Sequence, residues 1–279
     1  MKIILSRKGF DSSNGGHASP ILPDGKMLSL PIPSSRDWDN LEYREIFAPE
    51  DKTYQQVIEE LKTGFAIGNQ SVHLDPDLVK CVRQRKPGWR PAFGQYDKAA
   101  GHLRNQGVAK GDLFLFFGWF QHTKYVNGQV RFRGKSKNGF HAIFGFLEIG
   151  DIITANEGRE FPDWLNAHPH AKCVYTKCTN NTIFVAKPKL SFDSKISGGG
   201  AFEFDERLRL TKKEESRRSR WSLDPRVFRN VEISYHSQAS WKDGHFQSAG
   251  RGQEFVIKAN EGVIQWASDL IKNSCLWSN

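Results

Sequence analysis

Hydrophobic positions in this chain concentrate in two unbroken runs near its middle. Leu113 to Phe120 follows a Gly111-Asp112 turn, and Phe140 to Ile149 is followed by Gly150-Asp151. Short apolar runs bounded by turn residues predict strands covered on both faces. Between them, Asn127-Gly128 separates Tyr125-Val126 from the run Gln129 to Phe132. This pattern predicts a hairpin closed by a type I′ turn. Neither run is long enough to span a bilayer as a helix.

The flanks mix both periodicities. Residues 2–6 predict a first strand. Helical spacing appears over 50–62, where Thr53 and Gln56 match a capping box, Val57, Ile58 and Leu61 share a face, and Gly64 is placed to end the helix. Shorter helices are predicted around 75–85 and over 96–105, the latter stopping at Gly107. Beyond the central strands the pattern predicts a helical turn in 161–168 and a hairpin pairing 173–177 with 182–187. Short strands at 202–204, 208–210 and 231–235 follow. The final helix, over 260–272, has Val263, Trp266, Ala267, Leu270 and Ile271 on one face. Strands before, between and after helices indicate an α+β protein with a mixed, mainly antiparallel β core and packed peripheral helices. No internal period is visible, and Gly198-Gly199-Gly200 is too short for a long linker, so residues 1–279 read as a single domain.

Charge changes the picture because it is clustered. The formal charge is +9. Lys80, Arg83, Arg85, Lys86 and Arg90 interleave with Trp89 and Phe93. Lys124, Arg131, Arg133, Lys135 and Lys137 decorate the central hairpin. A third cluster holds Lys212, Lys213, Arg217, Arg218 and Arg220, beside Trp221. Such clusters usually form solvated faces, but cations with adjacent aromatic rings also suit a phosphate backbone and stacked bases. DNA or a nucleotide is therefore the expected partner, with Arg131, Arg133, Lys135, Arg217, Arg218 and Arg220 on the backbone. Met1 to Arg7 lacks the apolar region of a signal peptide, no segment reaches membrane-spanning length, and four scattered cysteines suit a reducing compartment. The expectation is a cytoplasmic protein that does not meet a membrane. Cys173 and Cys178 with His168 and His170 have some of the residue types of a zinc site, yet no second ligand pair has finger spacing, so no metal is assigned and the cofactor is unknown.

Two glycine-rich stretches hold the candidate chemistry. Arg7 to Gly16 places two cations, Asp11, hydroxyls and three glycines directly after the first strand. Its backbone can approach a phosphate or sugar closely, although its spacing fits neither the dinucleotide fingerprint nor the P-loop. Ser240 to Val256 supplies His245 for proton movement, Ser248 as donor, Arg251 for an anion and Glu254 as carboxylate. The candidate catalytic residues are Asp11, His245 and Glu254. Arg7, Lys8, Ser12, Ser248, Arg251 and Gln253 are candidates for substrate or phosphate, and Trp119 and Trp241 for stacking a base. The plainer alternatives are a polar turn and a loop capping the last helix.

Two resemblances add to this reading. A Gly-Asp turn, an apolar strand, a basic excursion and a second strand ending in Gly-Asp resemble the PUA-like class of small β-barrels, with a core around 108–190 and a pocket for a flipped or modified base. The opening Lys2 to Ser12, Pro20 to Gly25, Ser29 to Pro33 and the closing Phe246 to Phe255 resemble the third nucleotide-modification-associated domain family. That resemblance spans nearly the full chain and implies phage and bacterial systems that modify DNA bases; it transfers no catalytic residue. The leading expectation is an enzyme, of transferase or glycosidase type, acting on a nucleobase, nucleotide or its sugar. The alternatives are a non-catalytic reader of modified or flipped bases and a phage protein that blocks a host defence.

Overall fold

A computed structural model describes residues 1–34, 41–49, 51–67, 71–135, 137–250 and 252–277. Its strands in chain order are β1 (Ile3–Arg7), β2 (Ser19–Ile21), β3 (Ile32–Pro33), β4 (Val72–His73), β5 (Ala92–Gln95), β6 (Leu113–Val126) and β7 (Gln129–Phe132). They continue as β8 (Phe140–Thr154), β9 (Thr182–Ala186), β10 (Gly199–Ala201), β11 (Arg220–Trp221), β12 (Trp241–Lys242), β13 (His245–Gln247) and β14 (Glu254–Ile257). The helices are α1 (Tyr54–Leu61), α2 (Asp97–Asn105), α3 (Cys173–Thr176), α4 (Pro225–Phe228) and α5 (Glu261–Asn273).

The two apolar runs form the middle of the main sheet. β6 and β8 pair antiparallel, Leu113 opposite Glu148 and Phe120 opposite Phe140, with a bulge between Phe116 and Phe117. Residues 113–120 are buried throughout because both faces of the sheet are covered. Asn127 (φ 51°) and Gly128 (φ 75°) close the β6–β7 hairpin in the left-handed region that a type I′ turn requires. Phe93, Phe114 and Phe116 meet edge to face at 5.0 and 5.1 Å, and burying each such ring contributes about 1.5–3 kcal/mol.

The sheet order is β14-β1-β6-β8-β9-β5, with β2 and β7 also on β6 and β10 on β8. β1 and β2 run parallel to β6, and the other pairings are antiparallel, as an α+β core requires. The sheet is open. Among the described residues no backbone pairing joins β14 to β5, so the closed barrel expected around 108–190 from the PUA-like resemblance is not formed. Instead Gln95 at the end of β5 reaches Glu254 at the start of β14 through side chains, at 2.6 Å. The edge strands therefore converge at one end, which is where the site lies.

Capping residues set the helices. Thr53 and Gln56 form the expected capping box, and Lys62 rather than Gly64 takes the left-handed closing position (φ 49°). Gly107 (φ 64°) follows α2, and Asn260 caps α5 by accepting from the Val263 N–H at 3.0 Å.

Several expected elements differ. Segment 75–85 contains only a 3-10 turn, Lys80–Val82, because Asp77 forms a bridge with Ala92 and a two-pronged pair with Arg85 at 2.6 Å that hold the chain extended. Residues 173–176 coil into α3, and β9 pairs instead with the longer β8 and with β5. Residues 206–208 form a 3-10 turn started by Asp205, which accepts from the Arg207 N–H, and 161–168 form turns. Phe202 and Ile233 make isolated bridges, to Leu276 and Ile257, rather than strands. No helix among the described residues is long and apolar enough to cross a membrane.

Candidate functional site

Pairing of β1 with β14 puts Ser6 opposite Glu254, so the loop leaving β1 and the loop entering β14 emerge at the same end of the sheet. Arg7 ties them together. Its backbone N–H donates to Gln253 O at 2.8 Å, and its guanidinium donates to Ala249 O at 2.8 Å and Gly250 O at 3.2 Å. The two glycine-rich stretches, some 240 residues apart in sequence, thus share one surface. Beneath them, Lys8 Nζ sits 3.0 Å from Glu254 Oε1, which also accepts from Gln95 Nε2 at 2.6 Å. The side chains of Lys8 and Glu254 are 9% and 1% exposed, so this is a buried ion pair. Lys8 also lies 4.4 Å from the centroid of the Phe93 ring, a cation–π contact.

The β1 loop is built around Asp11. Its Oδ1 accepts from the N–H groups of Ser13 and Asn14, both at 2.7 Å, and its carbonyl accepts from Gly16 N at 2.9 Å. Gly15 is at φ +84°, and a Cβ there would fall 1.9 Å from the ring of Phe10, itself buried. Only glycine fits.

A cleft of about 1350 Å³ opens beside this loop. Arg7, Lys8 and Asp11 line it together with Tyr96, His102 and His170. A smaller cleft of about 250 Å³ shares Arg7, Lys8 and Asp11 and adds Ser12, Trp119 and Arg218. Burial pushes the Arg7 guanidinium below its ordinary value against the pull of Asp11, with Arg218 adding repulsion. Burial lowers Arg218 likewise. Guanidinium groups stay charged regardless, so both are partly desolvated cations that an anion would relieve. His141, at the back of the smaller cleft, is driven down to about 3 by burial and then by Arg7 and Arg218. It is neutral, and its Nδ1 accepts from Trp221 Nε1 at 3.1 Å.

The other sequence candidates are distributed as follows. Gln253 lines the main cleft. Ser248 is buried close by in sequence, its Oγ without a hydrogen-bond partner among the described residues. Arg251 lies outside the described residues. His245 stands on the small β11-β13-β12 sheet, its Nδ1 3.1 Å from Asp243 O, and outside both clefts. Trp241 lines a separate depression and packs on Phe246 at 4.9 Å. Trp119 donates to Asn138 O at 2.9 Å, and Arg218 covers it at 3.8 Å from the ring centroid. On the hairpin, Arg131 donates to Val130 O at 3.2 Å, Arg133 to Thr123 O at 3.0 Å, and Lys135 is exposed. Arg217 is exposed, and Arg220 pairs with Glu215 at 2.9 Å.

One group in the main cleft was not assembled from the sequence. His73 and Asp75 from the β4 segment meet His168 and His170 from the turn before α3. His73 Nε2 and His170 Nε2 each lie 3.9 Å from Asp75 Oδ2. Burial raises the Asp75 carboxyl, but contact with His168 and the charges of His170, His168 and His73 outweigh it and bring it to about 2. Burial takes His170 down to about 3. The available signal was His73-Leu74-Asp75: side chains two apart project from the same side of an extended chain.

No curated protein and no solved structure matches the chain. The model of nucleotide modification associated domain 3 matches residues 2–258, so the chain belongs to that family and has a general role in nucleotide modification.

Proposed function

We propose that the protein is an enzyme that acts on a nucleobase, nucleotide or its sugar in the main cleft. The observation that carries this reading is the junction at Arg7, whose guanidinium fastens the β14 loop to the β1 loop beside a space of about 1350 Å³. Pockets for drug-sized ligands measure about 300–1,000 Å³, so a nucleotide within a strand has room. Arg7 and Lys8 supply positive charge for phosphate, Asp11 a carboxylate at the mouth, and Gly250 and Gly252 backbone that a substrate can approach. Glu254 holds Lys8 in place as its buried counterion.

The reader alternative needs an accessible ring face, and Trp119 is 5% exposed with Arg218 over one face. This favours the enzyme. Mass spectrometry of nucleosides from DNA, RNA and a free nucleotide pool incubated with wild-type protein or with Arg7→Gln, Asp11→Asn tests the proposal. A new or missing species that depends on these residues supports it. Salt-sensitive binding of modified DNA without any chemical change would establish the reader instead.

A further inference from the structure

We propose that His73, Asp75 and His170 bind one divalent first-row transition-metal ion on the wall of the main cleft. Asn181, behind His170, is fully buried. Its Nδ2 donates to Ala155 O at 3.0 Å and to His170 O at 2.8 Å. The amide orientation is thereby fixed, and Oδ1 faces His170 Nδ1 at 2.7 Å. An amide oxygen only accepts, so His170 Nδ1 carries the proton and Nε2 of the neutral ring presents a lone pair. That lone pair stands 3.9 Å from Asp75 Oδ2, a second electron-pair donor, and His73 Nε2 stands 3.9 Å from the same oxygen. One ion with bonds of about 2.0–2.2 Å spans such a gap.

The surroundings support the same three donors. Asp75 Oδ1 is occupied by the Gly94 N–H at 2.8 Å, which leaves Oδ2 to ligate. His168 Nδ1 accepts from the His170 backbone N–H at 3.2 Å, so its proton is on Nε2, which lies 3.3 Å from Asp75 Oδ1. Tyr175 Oη lies 3.3 Å from His73 Nδ1. Outer contacts of this kind orient ligands in metal sites. Gly94 leaves the space that the His170 ring occupies, since a Cβ there would fall 2.2 Å from it. Two imidazoles and one carboxylate suit zinc, iron, cobalt, nickel or manganese better than calcium or magnesium, which prefer all-oxygen sites. Three protein donors leave further coordination positions, and all three residues line the cleft.

A direct contact of His73 with Asp75 would fill the gap without metal. The two accounts separate in a titration of chelator-treated wild-type protein with Co(II), read by visible absorption and thermal melting, with no nucleotide present. Saturation at one equivalent, ligand-field bands without a thiolate charge-transfer band, and a higher Tm are expected. Asp75→Ala and His170→Ala, their folds checked by circular dichroism, should weaken binding beyond the roughly 10–100-fold that loss of an outer-sphere partner costs. Cys178→Ala should bind as wild type does. Absence of saturable binding by the wild type overturns the proposal, as does a thiolate band that disappears in Cys178→Ala, which would place the metal at the cysteines. Because the titration contains no nucleotide, its failure leaves the enzyme reading standing, and failure of that reading leaves the metal site standing.

Discussion

Replacing Glu254 with Gln preserves the shape of the side chain and removes one charge from beneath the site. Lys8 would then keep a cation that is 9% exposed, with no counterion at 3.0 Å. Breaking a buried pair on one side costs about 3–5 kcal/mol, because the remaining charge stays desolvated. Two contacts moderate this. Gln95 would still find an acceptor at position 254, and the Phe93 face holds the ammonium, worth about 2 kcal/mol when desolvated. The expected loss for Glu254→Gln is therefore near the lower bound, about 3 kcal/mol. Lys8→Met should cost a similar amount, by leaving the carboxylate buried. The double variant should lose far less than the sum, since neither charge remains. Urea denaturation of the four proteins completes the cycle. Additive losses, or a loss below about 1 kcal/mol for Glu254→Gln, would refute the claim that the pair anchors Lys8.

His141 sets a pH dependence. Its folded value near 3 lies below the roughly 6.5 of an exposed histidine, so the unfolded chain takes up a proton that the folded chain refuses. Its contribution is complete above pH 6.5 and is lost as pH falls toward 3, at up to about 1.4 kcal/mol per pH unit; urea midpoints from pH 7 to 4 should show this slope reduced in His141→Gln. Gly15→Ala should abolish nucleotide binding and lower stability, because its Cβ would meet Phe10 at 1.9 Å in a φ of +84°; calorimetry with wild-type affinity would contradict this. Lys135→Glu with Arg217→Glu tests the exposed basic clusters as a DNA surface: the slope of log K against log salt should flatten by about 0.9 for each phosphate that is no longer neutralised, and an unchanged slope would place DNA elsewhere.

The central strands were legible because their signal is local: an unbroken apolar run, a Gly-Asp turn and Asn127-Gly128 each constrain only their neighbours. Thr53 with Gln56 and Asn260 ahead of α5 were legible for the same reason. Segment 75–85 has the pattern of a helix, and nothing local announces the Asp77–Arg85 pair and the Ala92 bridge that hold it extended. Likewise, 182–186 has a strand pattern, but its partners are β8 and β5 rather than its neighbour in sequence. The ingredients of the site were visible as Arg7, Lys8, Asp11 and Gln253; their convergence depends on the register Ser6 opposite Glu254, a long-range fact. The cluster of His73, Asp75 and His170 joins segments nearly 100 residues apart; the sequence shows His170 beside His168 and the cysteines and shows His73-Leu74-Asp75, but nothing local joins the two stretches.

Under the proposed function, substrate lies between the β1 and β14 loops against Arg7. A crystal structure with a nucleoside 5′-monophosphate tests it most directly. Phosphate is expected within hydrogen-bonding reach of the Arg7 guanidinium, with the nucleoside extending into the main cleft. A nucleotide held on the β6–β7 hairpin, with the cleft empty, would contradict it.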